Sequence, residues 1–199
     1  MSVVVFLRGV NVGGHKAFRP SVLARELTGF DVASIGAAGT FVVRGAVAPG
    51  PVRSAFVERL PFDTHLMVCP GRDLLDLVRR DPFQKAAAGG DERPFISVLE
   101  RRPARLPPLP LHTPDGSEWQ VAMLEVRGRF VASLHRRRGR TFLYPNEAVE
   151  KRLGVAATTR SWSTILSVGL ALEESAPRTT ARPGPGPSRR SPSQRGRTA

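Results

Sequence analysis

The residues best suited to chemistry sit in one early stretch, Arg8-Gly9-Val10-Asn11-Val12-Gly13-Gly14-His15-Lys16. The N–H groups of Gly13 and Gly14, the Asn11 amide and the charges of Arg8 and Lys16 are the kinds of donor a phosphate or carboxylate requires. The same glycines also suit a tight connection with no ligand, because they supply backbone angles that other residues avoid. Two familiar phosphate motifs are absent. Gly14-His15-Lys16-Ala17 lacks the Gly-Lys-Ser/Thr ending of a P-loop, and no Gly-x-Gly-x-x-Gly occurs here.

A second candidate is Thr158-Thr159-Arg160-Ser161-Trp162-Ser163-Thr164. Read as the start of a helix, it places two hydroxyls and Arg160 at a positive helix end, again suited to an anion. The plainer reading makes the threonines caps and Trp162 a core anchor. If Arg8 and Arg160 share one cleft, the expected ligand site comprises Arg8, Asn11, Gly13, Gly14, Lys16, Thr159 and Arg160.

A third candidate holds six arginines and no acid: Arg127, Arg129, Arg136, Arg137, Arg138 and Arg140. Contacts from these and from the basic tail after residue 174 to phosphates would give nucleic-acid binding with steep salt dependence. The plainer reading is a pair of solvated hairpin ends. Phe6 and Phe41 faintly match the stacking aromatics of an RNA-recognition fold, but core packing suits them better. The four histidines show no ligand spacing and Cys69 is the only cysteine, so neither a metal nor a cofactor is expected. No nucleophile elbow or triad spacing appears. An enzyme acting on an anionic substrate therefore stays an alternative without assigned catalytic residues.

These residues need elements to hold them. Residues 3–9 read as apolar without alternation, as in a strand buried on both faces. Pro20 opens a helix with Val22, Leu23 and Leu27 on one face. Asp31–Ile35 and Thr40–Arg44 read as strands around Gly36-Ala37-Ala38-Gly39. Pro51 starts a second helix, and Thr64 to Cys69 is a fourth strand. The order βαββαβ is the split-βαβ, ferredoxin-like pattern, whose central strands are the first and third. A helix over 72–80 follows, then a strand from Pro94 to Glu100 and a proline-rich link. A hairpin of Trp119–Val126 and Phe130–His135 comes next, then a helix from Pro145 to Leu153 and a last helix bearing Trp162, Ile165, Leu166 and Leu170.

The expected class is α+β, with two ferredoxin-like (α–β plait) subdomains packed together and a disordered C-terminal tail. The boundaries are 1–70, a connecting helix and loop at 71–90, a second α+β subdomain at 91–174, and a basic Pro/Arg/Ser tail at 175–199. Of 199 residues 41% are apolar, enough for a core, and no run is long enough to span a membrane. Met1-Ser2 leads straight into apolar residues without the basic start of a secretory leader. With a single cysteine, this predicts a reducing, cytoplasmic setting. The net charge is +13, but the tail contributes six arginines and no acid. The rest carries +7, from 24 basic and 17 acidic residues.

Four motifs also carry a family likeness. Phe6-Leu7-Arg8-Gly9-Val10-Asn11-Val12-Gly13-Gly14 resembles the opening signature of the bacterial family called domain of unknown function 1697. Ala38-Gly39-Thr40-Phe41 lies where that family usually has Ser-Gly-Asn before an apolar strand. Thr158 to Thr164 is similar to its Thr-Thr-Arg-Asn-Trp-Asn-Thr, and Asp81-Pro82-Phe83 falls where it tends to have Asn-Pro-Phe. The resemblance covers roughly residues 1–172. It implies two plait subdomains in one unit and implies no reaction. Thr40, Ser161 and Ser163 stand where the family tends to have asparagines. A hydroxyl offers fewer hydrogen-bonding groups than an amide, so a ligand held by those asparagines would be held differently here.

Overall fold

The computed structural model describes residues 1–10, 18–84, 86, 90–138 and 143–174. The apolar run near the start forms β1 (Val3–Leu7), with all five residues buried. It is central in a four-stranded antiparallel sheet of order β2-β3-β1-β4, with β2 Asp31–Ile35, β3 Thr40–Arg44 and β4 Leu66–Pro70. Its register fixes which residues face inward: Val4 lies opposite Val42 and Cys69, and Phe6 opposite Thr40 and Met67. Helix α1 (Pro20–Glu26) joins β1 to β2, and α2 (Pro49–Arg59) joins β3 to β4. Both carry proline in the first turn, where a missing N–H costs no intrahelical bond. Helix α2 begins at Pro49, two residues ahead of the expected Pro51.

The second half repeats this order with one replacement. Strand β5 (Glu92–Leu99) is followed by a proline-rich link and the short β6 (Leu111–Thr113) rather than by a helix. Then come β7 (Val121–Arg127), β8 (Phe130–Arg136), α4 (Pro145–Leu153) and β9 (Ala157–Ser161). The sheet order is β6-β7-β8-β5-β9, all antiparallel. Each half ends in a helix, α3 (Gly71–Arg80) and α5 (Trp162–Glu174).

These last helices make the centre of the molecule. Val4, Phe6, Val42 and Met67 from the first sheet share one core with Ile96, Val98, Ala122 and Leu134 from the second. Leu74 and Leu77 of α3 and Ile165, Val168 and Leu172 of α5 lie between them. The opposite face of the first sheet (Val3, Val5, Leu7, Phe41) is covered by α1 and α2, and that of the second (Leu99, Met123, Val131) by α4. The layers therefore run helices, sheet, helices, sheet, helix. Strand periodicity alone explains the split: alternate residues of β1 serve different cores. Phe6 and Phe41 are both fully buried, so neither is a stacking platform for RNA. At Gly169 a Cβ would sit 3.2 Å from Val78, and the lack of one lets α5 approach α3 closely.

The expected start of the last helix changes. Residues 157–161 form strand β9 rather than the cap of the last helix. They pair with β5, Ile96 opposite Arg160 and Leu99 opposite Ala157. Ser161 caps α5 instead, its Oγ accepting from the Thr164 N–H at 3.3 Å. Asp81 closes α3 in the left-handed region (φ 38°), which a short polar side chain tolerates, and its Oδ1 accepts from the Phe83 N–H at 3.1 Å. That turn delivers Phe83 edge-on to Trp162, ring centroids 5.3 Å apart.

Candidate functional site

Arg8 follows the last residue of β1, and its alternation turns it away from the core toward the second half. Its Nε and Nη2 donate to the two carboxylate oxygens of Glu150, both at 2.9 Å, and Nε also reaches the Ala157 carbonyl at 3.2 Å. Glu150 Oε1 additionally accepts from the Ala157 N–H at 2.7 Å. One carboxylate on α4 thus orients the guanidinium through a bidentate pair and ties it to β9. The Arg8 side chain remains 36% exposed. It borders a cleft of about 460 Å³ together with Gly9, Asp63, Thr64 and His65. Thr64 Oγ1 donates to the Arg8 carbonyl at 2.5 Å, and His65 Nδ1 lies 3.2 Å from Glu100 Oε1.

Arg160 has a different setting. Its Nε donates to Thr40 Oγ1 (2.7 Å). Nη1 donates to Thr158 Oγ1 and the Thr159 carbonyl (both 2.8 Å). Nη2 reaches the carbonyls of Leu7 (2.9 Å), Ala38 (2.6 Å) and Gly39 (3.2 Å). Those acceptors account for all five N–H groups of a guanidinium. The residue is 6% exposed, and burial pushes its pKa down to about 10, so it is charged at neutral pH. Arg160 is a cross-link between the sheets and has no donor left for a ligand. Thr158 Oγ1 adds a bond to the Leu7 carbonyl at 3.1 Å. Thr159 projects from the other face of β9 and pairs with Ser97 Oγ at 2.6 Å.

Arg8 and Arg160 thus flank the same junction at the end of β1, but only Arg8 opens to the cleft. Asn11, Gly13, Gly14 and Lys16 lie outside the described residues, as do Arg140 and the 175–199 tail. Sequence reasoning missed Glu150, Thr64, His65 and Glu100. They come from α4, the approach to β4 and the end of β5, and no local pattern marks them.

The arginine-rich segment is divided. Arg127 and Arg129 stand at the β7–β8 turn, whereas Arg136, Arg137 and Arg138 stand at the far end of β8, roughly 20 Å away at strand rise. Arg129 holds the Leu99 and Val68 carbonyls at 2.8 and 2.9 Å. Arg136 stacks 3.8 Å over the Trp119 ring, donates to the Trp119 carbonyl at 2.8 Å and to that of Ser117, while Arg138 lies 3.6 Å from Asp91. Burial pushes the Cys69 thiol up to about 11, which leaves it protonated and unreactive. Among the described residues, no three histidine, cysteine or acidic side chains come together as a metal site, and no helix is long and apolar enough to cross a membrane.

Comparison with other proteins adds the fold and the family. A conserved bacterial protein from Streptococcus pneumoniae is similar in structure, with TM-score 0.54 at 14% identity, over 85% of this chain and 97% of that one. At that identity the likeness bears on fold alone. No curated protein matches the chain. The family model described as Protein of unknown function (DUF1697) matches residues 1–123, well over half of the chain, and the chain belongs to that family.

Proposed function

We propose that this protein binds a small carboxylate- or phosphate-bearing ligand in the cleft at the C-terminal end of β1. The observation that carries this reading is the pose of Arg8. Glu150 takes one edge of its guanidinium, and the other edge, through Nη1, has no partner among the described residues. A planar fork held on one side is oriented for an anion on the other. Glu150 already offsets much of the Arg8 charge, so affinity has to come from further donors. Asn11, Gly13, Gly14 and Lys16 directly follow the clamped segment and keep that role in this reading. Thr159 and Arg160 leave it, since the Arg160 donors are all taken by the fold and the Thr159 hydroxyl turns to Ser97.

A screen of thermal stability against nucleotides, sugar phosphates and organic acids tests the idea. A ligand at a hundredfold over its Kd stabilises by about 2.7 kcal/mol. A hit should disappear in Arg8→Ala and also in Arg8→Ala/Glu150→Ala, which leaves no unpaired carboxylate to repel the ligand. Retention of every hit in both variants would remove Arg8 from the site.

The pair His65–Glu100 favours a second, catalytic reading. A carboxylate 3.2 Å from Nδ1 fixes the imidazole and leaves Nε2 available as a base at the rim of the same cleft. The nucleic-acid reading loses ground, because its described arginines divide between two ends of a hairpin and two of them are tied to backbone carbonyls. For the fold, we read each half as a ferredoxin-like plait. The matching sheet orders β2-β3-β1-β4 and β7-β8-β5-β9 support this, with β6 and the proline-rich link replacing one helix of the second half. The segment boundaries at 70, 90 and 174 follow from that reading, and a cytoplasmic setting stays with it.

A further inference from the structure

A second cleft, of about 290 Å³, lies at the other end of β4 from Arg8, between α3 and the β7–β8 turn. Four guanidiniums line it, from four separate places in the chain: Arg80 on α3, Arg102 after β5, Arg127 at the end of β7 and Arg129 in the turn. Two are already engaged. Arg129 is fixed by the Leu99 and Val68 carbonyls, and Arg80 lies 3.2 Å from Glu125. The guanidiniums of Arg102 and Arg127 are exposed and have no hydrogen-bond or ion-pair partner among the described residues. Like charges facing one hollow repel each other, and a dianion placed between them removes that cost. Asp73 and Asp76 line the same cleft, one helical turn apart on α3. Each also has an arginine neighbour on its own helix, Arg72 at 3.5 Å and Arg79 at 3.8 Å. Carboxylates accept hydrogen bonds and donate none, so they suit hydroxyl groups and repel a second phosphate.

We propose that this cleft binds a small sugar phosphate, with the phosphate on Arg102 and Arg127 and the hydroxyls on Asp73 and Asp76. Its size sits near the lower end for small-molecule sites, which fits a compact ligand. A continuous nucleic-acid backbone would meet Asp73, Asp76 and Glu125 along with the arginines, and the observations favour the smaller ligand. The site is independent of Arg8.

The test uses the full chain with ribose 5-phosphate, glucose 6-phosphate, ribose and inorganic phosphate, read by calorimetry and thermal shift. Both sugar phosphates should bind and ribose should not. Arg102→Ala/Arg127→Ala should weaken binding roughly tenfold or more while the unliganded Tm stays put, since both side chains are exposed. Asp73→Asn/Asp76→Asn should weaken the sugar phosphates but not inorganic phosphate. The proposal is overturned if no sugar phosphate binds at millimolar concentration, or if affinity survives the double arginine variant. Loss of binding in Arg8→Ala alone would assign the ligand to the β1 cleft instead. Displacement of the sugar phosphate by single-stranded RNA, with steep salt dependence, would make this a polyanion surface and equally overturn it.

Discussion

Arg160 shows how a single residue can look like chemistry in a sequence and be structure in the fold. Its charge is buried, yet four carbonyls and two hydroxyls from the two halves converge on it. Removing it strands those acceptors away from water. Arg160→Met should therefore cost about 3–5 kcal/mol in urea unfolding. Arg160→Lys should recover only part of that, because a single ammonium cannot reach acceptors spread around a fork. A variant as stable as the parent would remove Arg160 as a cross-link. Gly39, in the same node, is constrained twice: φ is +71°, and a Cβ would lie 2.6 Å from Val10 Cγ2 and 2.9 Å from Leu7 Cβ. Gly39→Ala should destabilise by more than the roughly 1 kcal/mol that left-handed strain alone costs. The family-like motifs at residues 38–41 and 158–160 were visible in the sequence, but their meeting was not. Contacts across about 120 residues leave no local trace, and a buried arginine has the same letter as an exposed one.

At the scale of elements, legibility followed burial. The continuous apolar run of β1, the proline starts of α1 and α4 and the Gly154 stop of α4 all stand where composition places them. Strand β9 escaped because its inward residues, Thr158 and Arg160, are polar, so alternation carried no hydrophobic signal. The three-residue β6 was too short to register in a proline-rich link. Strand β4 is an edge, and its outward carbonyls at Leu66 and Val68 are met by Arg53 (2.7 Å) and Arg129 (2.9 Å), which blunts a template for pairing with another chain. Strand β8 carries a titratable group inside: His135 is 5% exposed, and burial holds its pKa below the ordinary histidine value. The unfolded chain then binds a proton near pH 6.5 that the folded chain refuses until lower pH. Stability conferred by neutral His135 is present above about pH 6.5 and is lost as pH falls toward the folded value. The urea midpoint of the parent should drop more steeply between neutral pH and about pH 5 than that of His135→Gln. Parallel curves for the two proteins would exclude His135 as the cause.

At the scale of the whole molecule, the question is whether the halves are separable. In the sequence Gly89-Gly90-Asp91 is a candidate boundary, and one sheet is built from strands before it and the other from strands after it. Yet the core that joins them is built from both. Helices α3 and α5 lie side by side between the sheets, and the apolar faces of β1, β3, β5 and β8 all turn toward them. A fragment ending at residue 90 would leave Val4, Phe6, Met67, Leu74 and Leu77 facing water. It would also lose Arg160 from the Leu7, Ala38 and Gly39 carbonyls and Glu150 from Arg8. Burying one large apolar side chain contributes about 1.5–3 kcal/mol, and a domain's net stability is only about 5–15 kcal/mol. Losing several such burials at once exceeds what either half can supply alone. The full chain should therefore unfold in one transition that is the same by fluorescence and circular dichroism. Fragments 1–90 and 91–174 should each lack a cooperative transition and regain one when mixed. Gly169→Leu offers a check within the intact chain. It forces α5 away from Val78 and should lower the stability of both halves together, read as equal losses of amide-exchange protection in β1 and β8. Loss confined to the second half would mean that the two sheets are independent domains that merely touch.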